Sequence, residues 1–198
     1  MQPLRRGRLI VYSGPMGAGK TNLLLWRLSN FKVAHKTVLL LTLATAQRGE
    51  VDTLTSRLGA SMNCRALASP HLMPVLDEAK KFDVVGIDEG QFFGDILEFV
   101  SALVDGCGRT VVVATLVRDF RRELWPNRVH ELLVDADERP VLPAPCAGCG
   151  SGEAQFTRKK PGKGGDDVVE IAGMDTYESL CRQCWRKLEF DLLQFDEQ

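Results

Sequence analysis

Four short runs of apolar residues recur along this chain: RLIVYS (8–13), TVLLLTL (37–43), FDVVGID (82–88) and RTVVVAT (109–115). Each centres on consecutive apolar residues rather than on an alternation, so each reads as a strand buried on both faces. Between them the spacing changes. KTNLLLWRLSNF (20–31) carries leucines and a tryptophan at helical intervals, and residues 94–103 read as a second helix. Buried strands alternating with helices predict an α/β domain built on a parallel sheet with helices on both faces. After Asp137 the texture shifts: ERPVLPAPC is punctuated by proline, and from Cys146 the chain turns to short strands, glycines and cysteines. The expected organisation is an α/β domain over 1–145 and a small lobe over 146–198 that ends in a helix. KKPGKGGDD (159–167) reads as a charged, glycine-rich loop tip.

Composition adjusts this picture only slightly. A chain of 198 residues holds one core domain and a small appendage, and 44% hydrophobic with 26% charged residues is ordinary for a globular protein. A formal net charge of −1 removes the simplest argument for a nucleic-acid partner. No apolar run approaches the roughly 18 residues that a membrane span requires, and the apolar stretch after the N-terminal arginines is too short for a signal-peptide core. A cytoplasmic protein without a membrane or nucleic-acid partner is the expectation. The histidines, His35, His71 and His130, sit in separate segments and form no metal or triad pattern.

The chemistry begins where the first strand ends. GPMGAGKT (14–21) fits the G-x-x-x-x-G-K-[ST] pattern and lies between a strand and a helix, as a phosphate-binding loop must. Gly14, Pro15, Met16, Gly17, Ala18 and Gly19 form the loop, whose glycines let backbone N–H groups point at phosphate oxygens. The helix dipole adds to that attraction. Lys20 would reach the β- and γ-phosphates, and the Thr21 hydroxyl would ligate Mg²⁺. The matching carboxylate is Asp88, at the C-terminal end of the third apolar strand, where it can hold the metal. Glu89 beside it is placed to act as general base. If the attacking group is water the protein is an ATPase; if it is a substrate hydroxyl, a kinase. The motif alone does not separate the two.

Of six cysteines, Cys64 and Cys107 stand apart and read as inert thiols. Cys146, Cys149, Cys181 and Cys184 form two Cys-x-x-Cys pairs, the ligand set of a closed, structural Zn²⁺ site. The 31 residues between the pairs exceed the usual ribbon spacing and imply a hairpin with an extended loop. A redox dithiol and two unrelated pairs are the alternatives.

From about Gly7 to Trp185, GPMGAGKT, GIDEGQFF, DFRRELW, CAGC and YESLCRQC, in this order, resemble the cytosolic-type (class II) thymidine kinases. The resemblance implies a P-loop, RecA-like sheet with a zinc-stapled lasso lobe, and transfer of the γ-phosphate of ATP to the 5′-hydroxyl of thymidine, with deoxyuridine a second acceptor. Glu89 matches the base, Thr21 and Asp88 the magnesium site, and Arg48 an arginine near the phosphates. Met16, Phe92, Leu116, Phe120 and Trp125 match walls of the thymine pocket. Thr157, Val168 and Tyr177 fall in the lasso that closes over the base. A homo-oligomer, dimer or tetramer, is implied as well. The chain also departs from the pattern. Ala46 and Gln47 precede Arg48 where aspartate is usual, Gly17 replaces a large residue, and Ala172-Gly173 stands for a glycine pair. A catalytically impaired regulatory copy of this fold is therefore an alternative. A nucleic-acid-dependent ATPase is another, because DEGQ also resembles a helicase motif, although helicases use two tandem cores.

Overall fold

The computed structural model describes residues 7–46, 52–162 and 175–195, with side chains as far as Leu188 in the last helix. The four long apolar runs all become strands of one sheet: β1 (Arg8–Ser13), β2 (Val38–Leu43), β6 (Val84–Ile87) and β7 (Thr110–Thr115). A fifth strand, β5 (Arg65–Leu67), completes it in the order β1-β7-β6-β2-β5. Every pairing is parallel, as strands joined by crossover helices require. The outer side of β1 is not bare, because the chain at Glu138 and Val141 bridges it in parallel at Ile10 and Ser13.

Period-two alternation sorts each strand onto two buried faces. Leu9, Val11, Leu39, Leu41, Val85, Ile87, Val111 and Val113 form one core with Ile96, Phe99 and Leu103. The intervening positions Ile10, Tyr12, Leu40, Val84, Val112 and Ala114 form the other with Leu24, Leu25 and Leu28 of α1 (Lys20–Val33). Gly86 belongs to the second face, where a Cβ would come within 2.4 Å of Leu28 Cδ1, so its lack of a side chain lets α1 lie close to the sheet. The first face is covered by α2 (Leu76–Ala79), α3 (Ile96–Ser101) and α4 (Leu132–Asp135). The helix expected at 94–103 is α3, and it continues to Gly106 as a wider turn.

Two antiparallel hairpins stand outside the sheet. One pairs β3 (Thr53–Thr55) with β4 (Ser61–Asn63). The other pairs β8 (Phe156–Lys159) with β9 (Tyr177–Leu180), and α5 (Arg182–Phe195) follows it. Around this second hairpin Ala144, Cys146, Ala154, Leu180 and Cys181 make a small third core. No helix among the described residues is long and apolar enough to cross a membrane. Arg48, Val168, Gln47, the Ala172-Gly173 pair and the tip of the 159–167 segment lie outside the described residues.

Candidate active site

In a parallel sheet the strand C-termini open onto one edge, and loops from several strands converge there. Here β1 delivers the glycine loop, β6 delivers Asp88 and Glu89, and β7 delivers Thr115 and Leu116. These three strands are immediate neighbours in the sheet.

The glycine loop turns on Gly14, Gly17 and Gly19, all at positive φ, and Gly19 at φ 80° caps α1. Lys20, only 9% exposed, folds back so that its ammonium donates to the carbonyls of Gly14 at 3.1 Å and Pro15 at 2.8 Å. Burial lowers its pKa below the usual lysine range, and the Glu89 and Asp88 carboxylates oppose that shift. Thr21 Oγ1 donates to Asp88 at 3.1 Å, joining the helix to the end of β6. Asp88 is 4% exposed, and its carboxyl is pushed up to about 8, chiefly by burial and then by the charge of Glu89. A hydroxyl and a carboxylate side by side, the latter reluctant to ionise without a cation, suit a divalent ion.

Glu89 sits in the left-handed region at φ 53°. The turn that follows is tight for a steric reason: a Cβ on Gly90 would lie 2.8 Å from Val113 Cγ1 and 2.9 Å from Ile96 Cδ1. Gln91, 4% exposed, bridges this turn to β7. Its Nε2 donates to Glu89 Oε2 at 2.6 Å, and its Oε1 accepts from Leu116 N at 2.9 Å and Thr115 Oγ1 at 3.1 Å. Asn127 holds the turn from outside, with Nδ2 at 2.9–3.2 Å from the carbonyls of Gly90, Gln91 and Phe93.

Apolar and aromatic side chains wall the rest. Phe92 meets Trp125 edge to face, with ring centroids 5.6 Å apart, and Phe120 lies 6.0 Å from Tyr177 of β9. Phe120 is carried on a short turn fixed by Asp119, whose Oδ1 accepts from the main chain of Arg121 and Glu123. A cavity of about 410 Å³ joins these groups. Its lining brings together Met16, Gly17, Gly19, Lys20, Thr21, Asp88 and Glu89 with Phe92, Leu116, Phe120, Trp125, Thr157 and Tyr177. Gly14 and Pro15 border a second cleft behind the loop, and Ala18 packs against the cysteine lobe. Thr157 reaches the phosphate loop itself: its Oγ1 accepts from Met16 N at 3.0 Å.

Sequence reasoning missed Gln91, Asn127, Asp119 and Ser179, whose partners are set by the fold. It also missed Arg57, an exposed cation on the rim of the same cavity that shares the electrostatic field of Lys20. The one available signal for Gln91 was its place two residues beyond Glu89.

The four paired cysteines converge as well, their sulfurs all within 4.8 Å of one another. Thiolates about 2.3 Å from one zinc stand roughly 3.8 Å apart, and the Cys149 and Cys181 sulfurs are separated by 3.8 Å. Burial would push Cys146 up, but main-chain N–H groups of Cys181, Cys149 and Gly148 outweigh it and hold the thiol down to about 6. Its thiol neighbours push Cys184 up to about 12. Four sulfurs gathered this closely offer the ligand set of a structural zinc centre. Cys64 is buried, its thiol pushed up to about 11 chiefly by that burial.

A family model described as thymidine kinase matches residues 7–185. Thymidine kinase 1 of Dictyostelium discoideum is 34% identical over 181 residues, 90% of this chain and 78% of that protein. The cytosolic thymidine kinase of Homo sapiens is 36% identical over 183 residues, 92% of this chain and 74% of its own. The thymidine kinase of Fowlpox virus is 33% identical over 182 residues, 90% and 97% of the two chains.

Proposed function

The chain belongs to the thymidine kinase family, and from that premise we propose that it moves the γ-phosphate of ATP to the 5′-hydroxyl of thymidine with Glu89 as general base. The observation that carries this reading is one cavity lined both by a glycine loop with paired carboxylates and by a set of aromatic side chains. An ATPase needs only the first half. A flat, methylated pyrimidine accounts for the second.

In this mechanism the phosphate loop holds the triphosphate, and Lys20 leaves its loop carbonyls for the β- and γ-phosphates. Thr21 and Asp88 would hold Mg²⁺, which supplies charge neutralisation across those phosphates. Glu89 takes the proton of the attacking hydroxyl, and the Gln91 bond fixes one of its oxygens so that the carboxylate is pre-aimed. Arg48 and Arg57 are candidates to stabilise charge on the transferring group. Phe92, Leu116, Phe120, Trp125, Val168 and Tyr177 would enclose the base, excluding water from the transfer. Deoxyuridine is a second acceptor, since one methyl group is worth only about 1–3 kcal/mol. A homo-oligomer in the cytoplasm belongs to the same proposal, and so does structural Zn²⁺ on the four cysteines.

The test is a coupled assay of ADP release with and without thymidine, on the native protein and on Glu89→Gln. The expected result is thymidine-dependent release that falls by roughly 10²–10⁴ in the variant. Release indifferent to thymidine would point to an ATPase. An unchanged rate in Glu89→Gln would remove that residue from the mechanism.

A further inference from the structure

One strand of the cysteine lobe bears on the phosphate loop. Along β9 and just beyond it, Tyr177, Ser179 and Cys181 alternate onto one side, and all three are buried. Tyr177 lines the cavity and Cys181 is one of the clustered thiols. Ser179, 1% exposed, lies between them and donates from Oγ to the carbonyl of Met16 at 2.5 Å. Directly across the hairpin is Thr157, paired with Ser179 in the strand register. Its hydroxyl accepts the N–H of the same Met16. Two side chains on facing strands thus hold two successive peptide groups of the glycine loop.

We propose that Ser179 and Thr157 are positioning residues for phosphate binding, clamping Met16 so that the loop keeps the concave shape a nucleoside triphosphate needs. A loop turning on three positive-φ glycines has ample freedom of its own. Fixing it before the nucleotide arrives removes an ordering cost from binding. The clamp also makes the lobe that borders the base pocket part of the phosphate site. The inference rests on the phosphoryl-transfer reading above and extends it to residues that touch no reacting atom.

The experiment is calorimetric titration with Mg-ADP, and separately with thymidine, of the native protein and of Ser179→Ala, Ser179→Thr and Thr157→Val, with a melting temperature for each. Loss of either hydroxyl is expected to weaken ADP about ten-fold; in Ser179→Ala, whose side chain does not line the cavity, thymidine affinity changes less than about three-fold. Ser179→Thr, which keeps the donor, stays within about three-fold of native for ADP. The proposal is overturned if ADP affinity is unchanged in Ser179→Ala, or if ADP and thymidine weaken together in step with melting temperature. Should Ser179→Ala fail to fold, Thr157→Val decides on ADP alone: unchanged ADP affinity, or a loss that only follows its melting temperature, overturns the proposal. A native protein that binds ADP yet phosphorylates no thymidine would sink the kinase reading and leave this comparison intact.

Discussion

Asp88 is a carboxylate set where its charge is costly. It closes the buried strand β6, accepts from Thr21, and has Glu89 as its chain neighbour. Burial first and the Glu89 charge second push it up to about 8 from an ordinary 3.8. The folded, metal-free protein therefore holds a proton there that the unfolded chain has released. The stability this lends is complete below the unfolded pKa and is lost as pH climbs through the folded one. Asp88→Asn has no such group. Without divalent cations, its melting temperature relative to native should rise between pH 5 and pH 9 by on the order of several degrees. It should also lose about a hundred-fold or more of kcat/KM with Mg-ATP. Fluorimetric melts of both proteins across that pH range decide the matter, and parallel curves would show that Asp88 is not held protonated.

The turn after β6 shows how an element, and not one side chain, aims the Glu89 carboxylate. Glu89 is left-handed, Gly90 is jammed against Val113 and Ile96, and Gln91 spans to β7. One amide group, that of Asn127, then serves three carbonyls of the turn. Asn127→Ala leaves those carbonyls short of a donor, at a cost of about 1–3 kcal/mol in stability. It also frees the carboxylate that the turn aims, so kcat should fall about ten-fold. KM for ATP should hold, because the phosphate loop hangs from β1 and α1. Steady-state kinetics on the folded variant test this; an unaltered kcat would mean the turn keeps its shape unaided. The same comparison shows what the chain discloses in advance. β1, β2, β6 and β7 are legible because about four apolar residues in a row have few other places to go. The glycine loop and the carboxylate pair are legible because their partners are neighbours in sequence or in a known spacing. β3, β4 and β5 are three residues each, too short for any period to register, and owe their existence to the strands beside them. Asn127 and Ser179 find their partners 34 to 163 residues away, a relation that only the fold creates.

At the scale of the whole molecule the open question is what keeps the cysteine lobe against the sheet. Its core consists of Ala144, Cys146, Ala154, Leu180 and Cys181, with Trp185 and Leu188 partly buried beside it. So few apolar side chains bury too little area to offset the ordering of some forty residues, whereas a tetrahedral metal centre contributes folding free energy directly. The sheet has two extensive cores of its own and needs no such support. Removing the zinc proposed for the four cysteines should therefore dissolve the lobe first. After treatment with a strong chelator, or in Cys149→Ser with Cys184→Ser, limited proteolysis should cut between about residue 146 and residue 185 while the segment from β1 to β7 persists as a resistant fragment. Because the lobe supplies Tyr177 to the cavity and both hydroxyls on Met16, thymidine phosphorylation should disappear at the same chelator concentration. ADP affinity should fall with it. Mass spectrometry of the fragments, read beside residual activity, separates the outcomes. Cleavage that begins in the sheet, or activity that outlives the lobe, would mean that the hairpin docks without its thiolate centre.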